Sequence, residues 1–190
     1  SVLWARAIKT LPNTYDLVAM ISNKNIDNAS PYILYTFTTY NAQGEIIHTS
    51  NGTTTAPVDG DFPIINQSIQ LKQEPYQVAM ELRDGLHYKV DEKPTSPTLR
   101  ISNEHYEKVE GISRVYATVK NTKRVTISNL PVRAVLYNED GNVYAVGETV
   151  VPYLSKEDIK DITFIWDVPL SVPPTRIRIY PIFDPFMVIK

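Results

Sequence analysis

The sequence predicts an all-β protein built from two tandem sandwiches related by internal duplication. Three observations carry this. Residues 31–57, PYILYTFTTYNAQGEIIHTSNGTTTAP, and residues 129–152, NLPVRAVLYNEDGNVYAVGETVVP, follow one plan. In each, a β-rich run reaches a tyrosine (Tyr40, Tyr137) and an Asn-x-x-Gly turn follows (Asn41 to Gly44, Asn138 to Gly141). Apolar residues then resume, and a Gly-x-x-x-x-Pro segment closes the unit. Second, the correspondence continues along the chain at a spacing of about 98 residues; that is a domain duplication, since solenoid repeats are much shorter. Third, fourteen prolines outnumber seven glycines in a chain rich in β-branched residues, which favours strands with sharp ends. With about seven strands per copy and regular turn signals, the expected architecture is two tandem immunoglobulin-like sandwiches.

Taken in order, residues 2–8 (VLWARAI) form a first strand anchored by Trp4 and broken at Pro12-Asn13. Residues 15–22 then alternate, placing Tyr15, Leu17, Ala19 and Ile21 on one face; Val115, Ala117 and Val119 are their counterparts. Both strands end at an asparagine, Asn23 and Asn121. This shared face is the expected core. The opposite face of the second copy (Arg114, Tyr116, Thr118, Lys120) suits solvent. In the first copy it carries Val18 and Met20, which call for cover by a loop, the other domain or a partner.

The third strand pairs Ile33, Tyr35, Phe37 and Thr39 with Leu130, Val132, Ala134 and Leu136. The exchange of Phe37 for Ala134 requires another side chain to fill the second core, and Trp166 or Phe164 is expected there. Gly44 and Gly141 supply the positive φ that the hairpins need. Tyr40 and Tyr137 are expected to seat a ring at the sandwich end with the hydroxyl tied to backbone. Later strands match Ile65 with Phe164, Ile69 with Val168, and Val78 and Met80 with Ile177 and Ile179. Residues 155–160 (SKEDIK) allow a single helical turn capped by Ser155. The expected division is residues 1–83 as the first sandwich, 84–98 (DGLHYKVDEKPTSPT) as a semi-rigid linker, 99–180 as the second sandwich, and 181–190 as an apolar tail. In that tail Phe183 and Phe186 join Val18 and Met20 as candidate interaction residues.

Composition excludes much chemistry. A net charge of −2 gives no general attraction to nucleic acid, and none is expected as a partner. No cysteine is present, which removes disulfides, thiolate zinc sites and cysteine nucleophiles together. His48, His87 and His105 lack second ligands at metal spacing, and Asp59-Gly-Asp61 offers too few oxygens for calcium. The acidic group Glu157, Asp158 and Asp161 reads as a solvated turn. Asn-x-Ser/Thr occurs at Asn28, Asn51 and Asn66 about as often as chance allows. No nucleophile elbow, phosphate loop or zinc-protease motif occurs. No catalytic residue, metal ligand or cofactor is therefore expected.

Val135-Leu136-Tyr137-Asn138, inside RAVLYNEDGNV, resembles the signature of the FxLYD family of bacterial extracytoplasmic modules, with Asn in place of the final Asp. Residues 116–122 (YATVKNT) resemble that family's strand before it, without its glycine, and residues 147–155 (GETVVPYLS) resemble its closing segment. The first copy keeps Phe37, Tyr40 and Asn41 but loses the leucine. The outline is also similar to water-stress and late-embryogenesis sandwich domains and to fibronectin type III. These resemblances imply an exported, non-enzymatic module at the cell surface of a membrane-anchored protein, the anchor lying outside this chain. The expected role is interaction with a protein partner or spacing. Self-assembly into a surface layer or filament is a second expectation, and a carbohydrate-binding accessory domain a third.

Overall fold

The computed structural model describes residues 1–25, 28–89, 99–184 and 188–189, and among them every regular element is a strand. The chain divides into two units, Ser1–Asp91 and Glu92–Lys190. In the first, β1 (Val2–Leu11), β2 (Thr14–Asn23) and β5 (Gly60–Gln70) form one sheet in the order β1-β2-β5. The strands β3 (Asn28–Tyr40), β4 (Ile46–Ala56) and β6 (Gln77–Lys89) form the other, in the order β4-β3-β6. The second unit repeats this strand for strand. Its β7 (Leu99–Val109), β8 (Ile112–Asn121) and β11 (Ile159–Trp166) make a sheet ordered β11-β8-β7. Opposite it, β9 (Thr126–Tyr137), β10 (Val143–Leu154) and β12 (Arg176–Pro181) are ordered β10-β9-β12, and a short β13 (Val188–Ile189) also pairs with β9. All pairings are antiparallel. The fold is thus two β-sandwiches of one topology.

Among the described residues the first sandwich has six strands, and the second has six and the short β13, where about seven each were expected. The strands here mostly run ten to thirteen residues, roughly twice the usual five or six, so fewer of them use up the chain. Two boundaries also move. Strand β6 continues to Lys89 because the first half of β3 needs a partner, with Tyr32 opposite Leu86 and Ala29 opposite Tyr88. The expected linker therefore loses residues 84–89 to the sheet, and its remainder, 90–98, lies outside the described residues. The tail is likewise part of the second unit. Ile182 is buried and its N–H donates to the Pro131 carbonyl (2.8 Å), while Val188 pairs with Ile127. Along β9, β12 and β13 together take the place that β6 holds along β3.

The predicted core face is the core. Tyr15, Leu17, Ala19 and Ile21 are buried in the first unit, and Val115, Ala117 and Val119 in the second. Val18 and Met20 are buried too, at 0% and 4% exposure. Register places Val18 between Arg6 and Ile65, and Met20 between Trp4 and Pro63, with the Arg6 guanidinium 5.0 Å from the Trp4 ring centre. Neither residue offers interaction surface.

One strand match is shifted by a residue. Ala19 faces Ile64 and Ala117 faces Ile162, so Ile64, not Ile65, corresponds to the inward Ile162, and Asn66 corresponds to Phe164. A β-bulge follows these residues: Gln67 and Ser68 together face the single residue Asp16, and Ser68 takes a φ of +60°. Past the bulge Ile69 faces Tyr15 as Trp166 faces Ser113, so Ile69 corresponds to Trp166 and not to Val168.

Candidate functional site

The polar residues that recur at equivalent places in both units close strands. Asn121 is fully buried at the end of β8. Its Nδ2 donates to the carbonyls of Val125 (2.7 Å), Ser155 (2.9 Å) and Leu154 (3.3 Å), and its Oδ1 accepts from the Lys123 N–H (3.0 Å). One side chain thus ties the end of β8 to the start of β9 and the end of β10. Asn23 does the same in the first unit, donating to Pro57 (2.7 Å) and Asn28 (3.1 Å) and accepting from Asn25 (3.1 Å). Without cysteine, these amides do by hydrogen bonds part of what a disulfide does in other small sandwiches.

The Asn-x-x-Gly turns behave as the spacing predicts. The Gly44 and Gly141 N–H groups donate to the Asn41 and Asn138 carbonyls, both at 3.0 Å, and both glycines have positive φ (+79° and +75°). Asn41 Oδ1 accepts from Gln43 and Glu45, and Asn138 Oδ1 from Asn142. The tyrosines before them differ from expectation. It is the main-chain carbonyls of Tyr40 and Tyr137 that are tied, accepting from the N–H of Tyr76 (2.8 Å) and Thr175 (3.0 Å). The Tyr137 ring lies 4.0 Å from the Arg176 guanidinium. The hydroxyl role falls to Tyr144, which donates to the Val172 carbonyl (2.9 Å); burial, helped by nearby Tyr106, pushes its phenol up to about 12.

Phe183 is half-buried and packs against the second core, so it too is spoken for, and Phe186 lies outside the described residues. Residues 155–160 form no helical turn: Glu157 has a φ of +59°, and the Asp158 N–H bonds back to the Ser155 carbonyl at 3.2 Å. The nearby carboxylates are engaged locally. Asp161 accepts from Thr118 Oγ1 (3.0 Å), and Asp158 accepts from the Ile159 N–H. Among the described residues no cluster of three or more His, Cys, Asp or Glu could hold a metal ion. His105 stacks on Tyr116 (5.1 Å between ring centres), and His48 stands opposite Thr39 where the second unit has Ala145 and Leu136. In that pair Thr39 Oγ1 and His48 Nε2 are buried without a partner, a local cost the second unit avoids.

Sequence reading passed over two polar features. Arg133 and Glu148 form an ion pair on the outer face of the β10-β9-β12 sheet, Nε to Oε2 at 2.6 Å. The equivalent Thr36 and Asn51 are bonded at the same distance. The other is Asp16, which is buried and accepts from the Ser68 N–H of the bulge (2.9 Å). Burial raises its carboxyl above the ordinary 3.8, against the pull of the Ser68 and Gln67 hydrogen bonds. A carboxyl raised by folding binds its proton more tightly in the folded than in the unfolded chain. Its ionisation therefore removes stability as pH climbs from 3.8 through the higher folded value. Asp16→Asn keeps an acceptor for Ser68 and abolishes the charge. Urea titrations should show the variant more stable than wild type at about pH 7 and the difference fading by about pH 3. An equal difference at both would exclude the charge as its cause.

Among the described residues, each unit has a hollow open to solvent. One, about 170 Å³, lies at the Asn23 end of the first unit against Ile33, Phe62 and Arg83. The other, about 400 Å³, runs in the second unit between the edges of β10 and β11, from Thr149 to Tyr153 and from Lys160 to Thr163.

No protein-family model matches the chain, and no curated protein matches it. Among solved structures it is similar to red sea bream transglutaminase, at 8% identity and a TM-score of 0.29. That match covers 95% of this chain and 29% of the transglutaminase chain, and it carries no argument about function.

Proposed function

We propose that the chain is a non-enzymatic interaction or spacer module of an extracytoplasmic, membrane-anchored protein, as its resemblance to FxLYD modules implies. The observation that supports this best is where the polar side chains go. The buried amides of Asn41 and Asn121, with Asn23 and Asn138 at the equivalent places, are consumed in holding strand ends and turns. Surface for a partner is then left to loops and sheet edges. The module works without cofactor or metal, so a chelator leaves its thermal unfolding unchanged.

The test is cross-linking of the full-length protein in its own cells, followed by mass spectrometry of the attached peptides. A recurrent foreign protein joined to residues of one unit is the expected result. Cross-links confined to copies of the chain itself would replace the partner reading with self-assembly.

A further inference from the structure

Among the described residues each sandwich has four edge strands of six residues or more, and every edge leaves one side of its backbone unpaired. Such edges invite pairing with other chains, and proteins blunt them with charges, prolines and bulges. Seven of the eight are blunted here. Each carries a charged residue, as with Lys160 and Asp161 on β11, and β5, β10 and β12 add Pro63, Pro152 and Pro181. The exception is β4. Its eleven residues, IIHTSNGTTTA, contain no Lys, Arg, Asp, Glu or Pro.

We propose that β4 is a pairing edge and that its partner is β4 of a second copy, antiparallel about a two-fold axis. The inference goes beyond the interaction reading above and holds whether or not a foreign partner exists. Four features argue for a second copy. Pairing about a two-fold sets a strand against itself, and without charges β4 opposes no like charges. With Asn51 on the axis, its exposed alternate residues would meet one another, Asn51 facing its own equivalent and Thr49 facing Thr53 of the second copy. That is the pairing β4 already makes with β3, where Thr38 faces Thr49 and Thr36 Oγ1 donates to Asn51 Oδ1 (2.6 Å). On the other face Gly52 is covered by the Tyr35 ring, so closely that any side chain at 52 would collide with it. An aromatic laid over an edge glycine keeps the strand extended where glycine alone would loosen it. A charged foreign strand, by contrast, finds no counter-charge on this edge. Pairing would join two β4-β3-β6 sheets into one of six strands.

The test is sedimentation velocity of the 190-residue chain over a concentration series. Wild type should dimerise reversibly. Thr49→Lys and Thr53→Lys, both at exposed positions, should weaken the dimer at least about tenfold without moving the thermal midpoint. Because the chain has no cysteine, single Thr49→Cys, Asn51→Cys and Thr53→Cys variants give an independent reading that does not depend on the lysine variants folding. A disulfide-linked dimer from at least one of them is expected, and none from Ile165→Cys on β11. A wild-type chain that stays monomeric to millimolar concentration overturns the proposal. So does a dimer that survives both lysine variants, or one that cross-links through β11.

Discussion

Asn121→Ala should lower the stability of the second unit by about 3–5 kcal/mol, and Asn121→Asp by more, with the first unit unaffected. Alanine leaves the Leu154, Val125 and Ser155 carbonyls, the first buried and the others part-buried, and the Lys123 N–H without the side-chain partner they have in the native fold. A buried group stripped of its partner costs about 1–3 kcal/mol, and the costs at one site do not fully add. Aspartate is worse because it turns a carboxylate toward three carbonyl oxygens. Asn23→Ala should cost less, since Asn23 is only half-buried and gives its amide to two carbonyls. The chain has two tryptophans, Trp4 in the first unit and Trp166 in the second. Urea titration followed by fluorescence in Trp4→Phe and Trp166→Phe backgrounds can therefore assign each transition to its unit. If Asn121→Ala moves neither transition, or both equally, the asparagine does not act as a local strand lock.

The same asparagines show what a sequence can and cannot disclose. Their position was legible: each ends an alternating strand, about 98 residues from the other. Their bonds were not, because the partners of Asn121 include Leu154 and Ser155, more than thirty residues away. Alternation correctly assigned the faces of β2 and β8, since a period of two is a local property. It marked Val18 and Met20 as needing cover, and both are buried, but it could not tell that this leaves them no interaction surface. It also slipped by one residue at Ile65, since pairing register is fixed by partners on β2 that a local count does not include. The hairpins at Gly44 and Gly141 were readable because glycine at positive φ is a chemical requirement of the turn. The unblunted edge of β4 was written in its composition, but the strand order that makes it an edge was not.

The clearest link between the two copies is a traded volume, and it yields the second large effect. In the first unit Phe37 faces Ser50 across the β3–β4 pair, and Asn66 occupies the matching place on the opposite sheet, its amide bonded to Ser50 Oγ at 2.9 Å. In the second unit the corresponding residues are Ala134, Gly147 and Phe164. The aromatic ring has moved from one sheet to the other. Gly147 has no room for a side chain, since a Cβ there would lie 3.0 Å from Trp166 and 3.4 Å from Phe164. The indole N–H of Trp166 is held by the Val146 carbonyl at 2.9 Å, which fixes the ring over that glycine. Phe164→Ala should therefore cost about 3–5 kcal/mol by opening a cavity, and Ala134→Phe about 1–3 kcal/mol by overpacking. Combined, Ala134→Phe with Phe164→Ala restores one ring to the space each change alone leaves too empty or too full. The double variant should be more stable than the sum of the single effects predicts, by about 1–3 kcal/mol in a double-mutant cycle. Additive losses would mean that the two rings occupy separate spaces. The resemblance between the copies would then stop at the backbone.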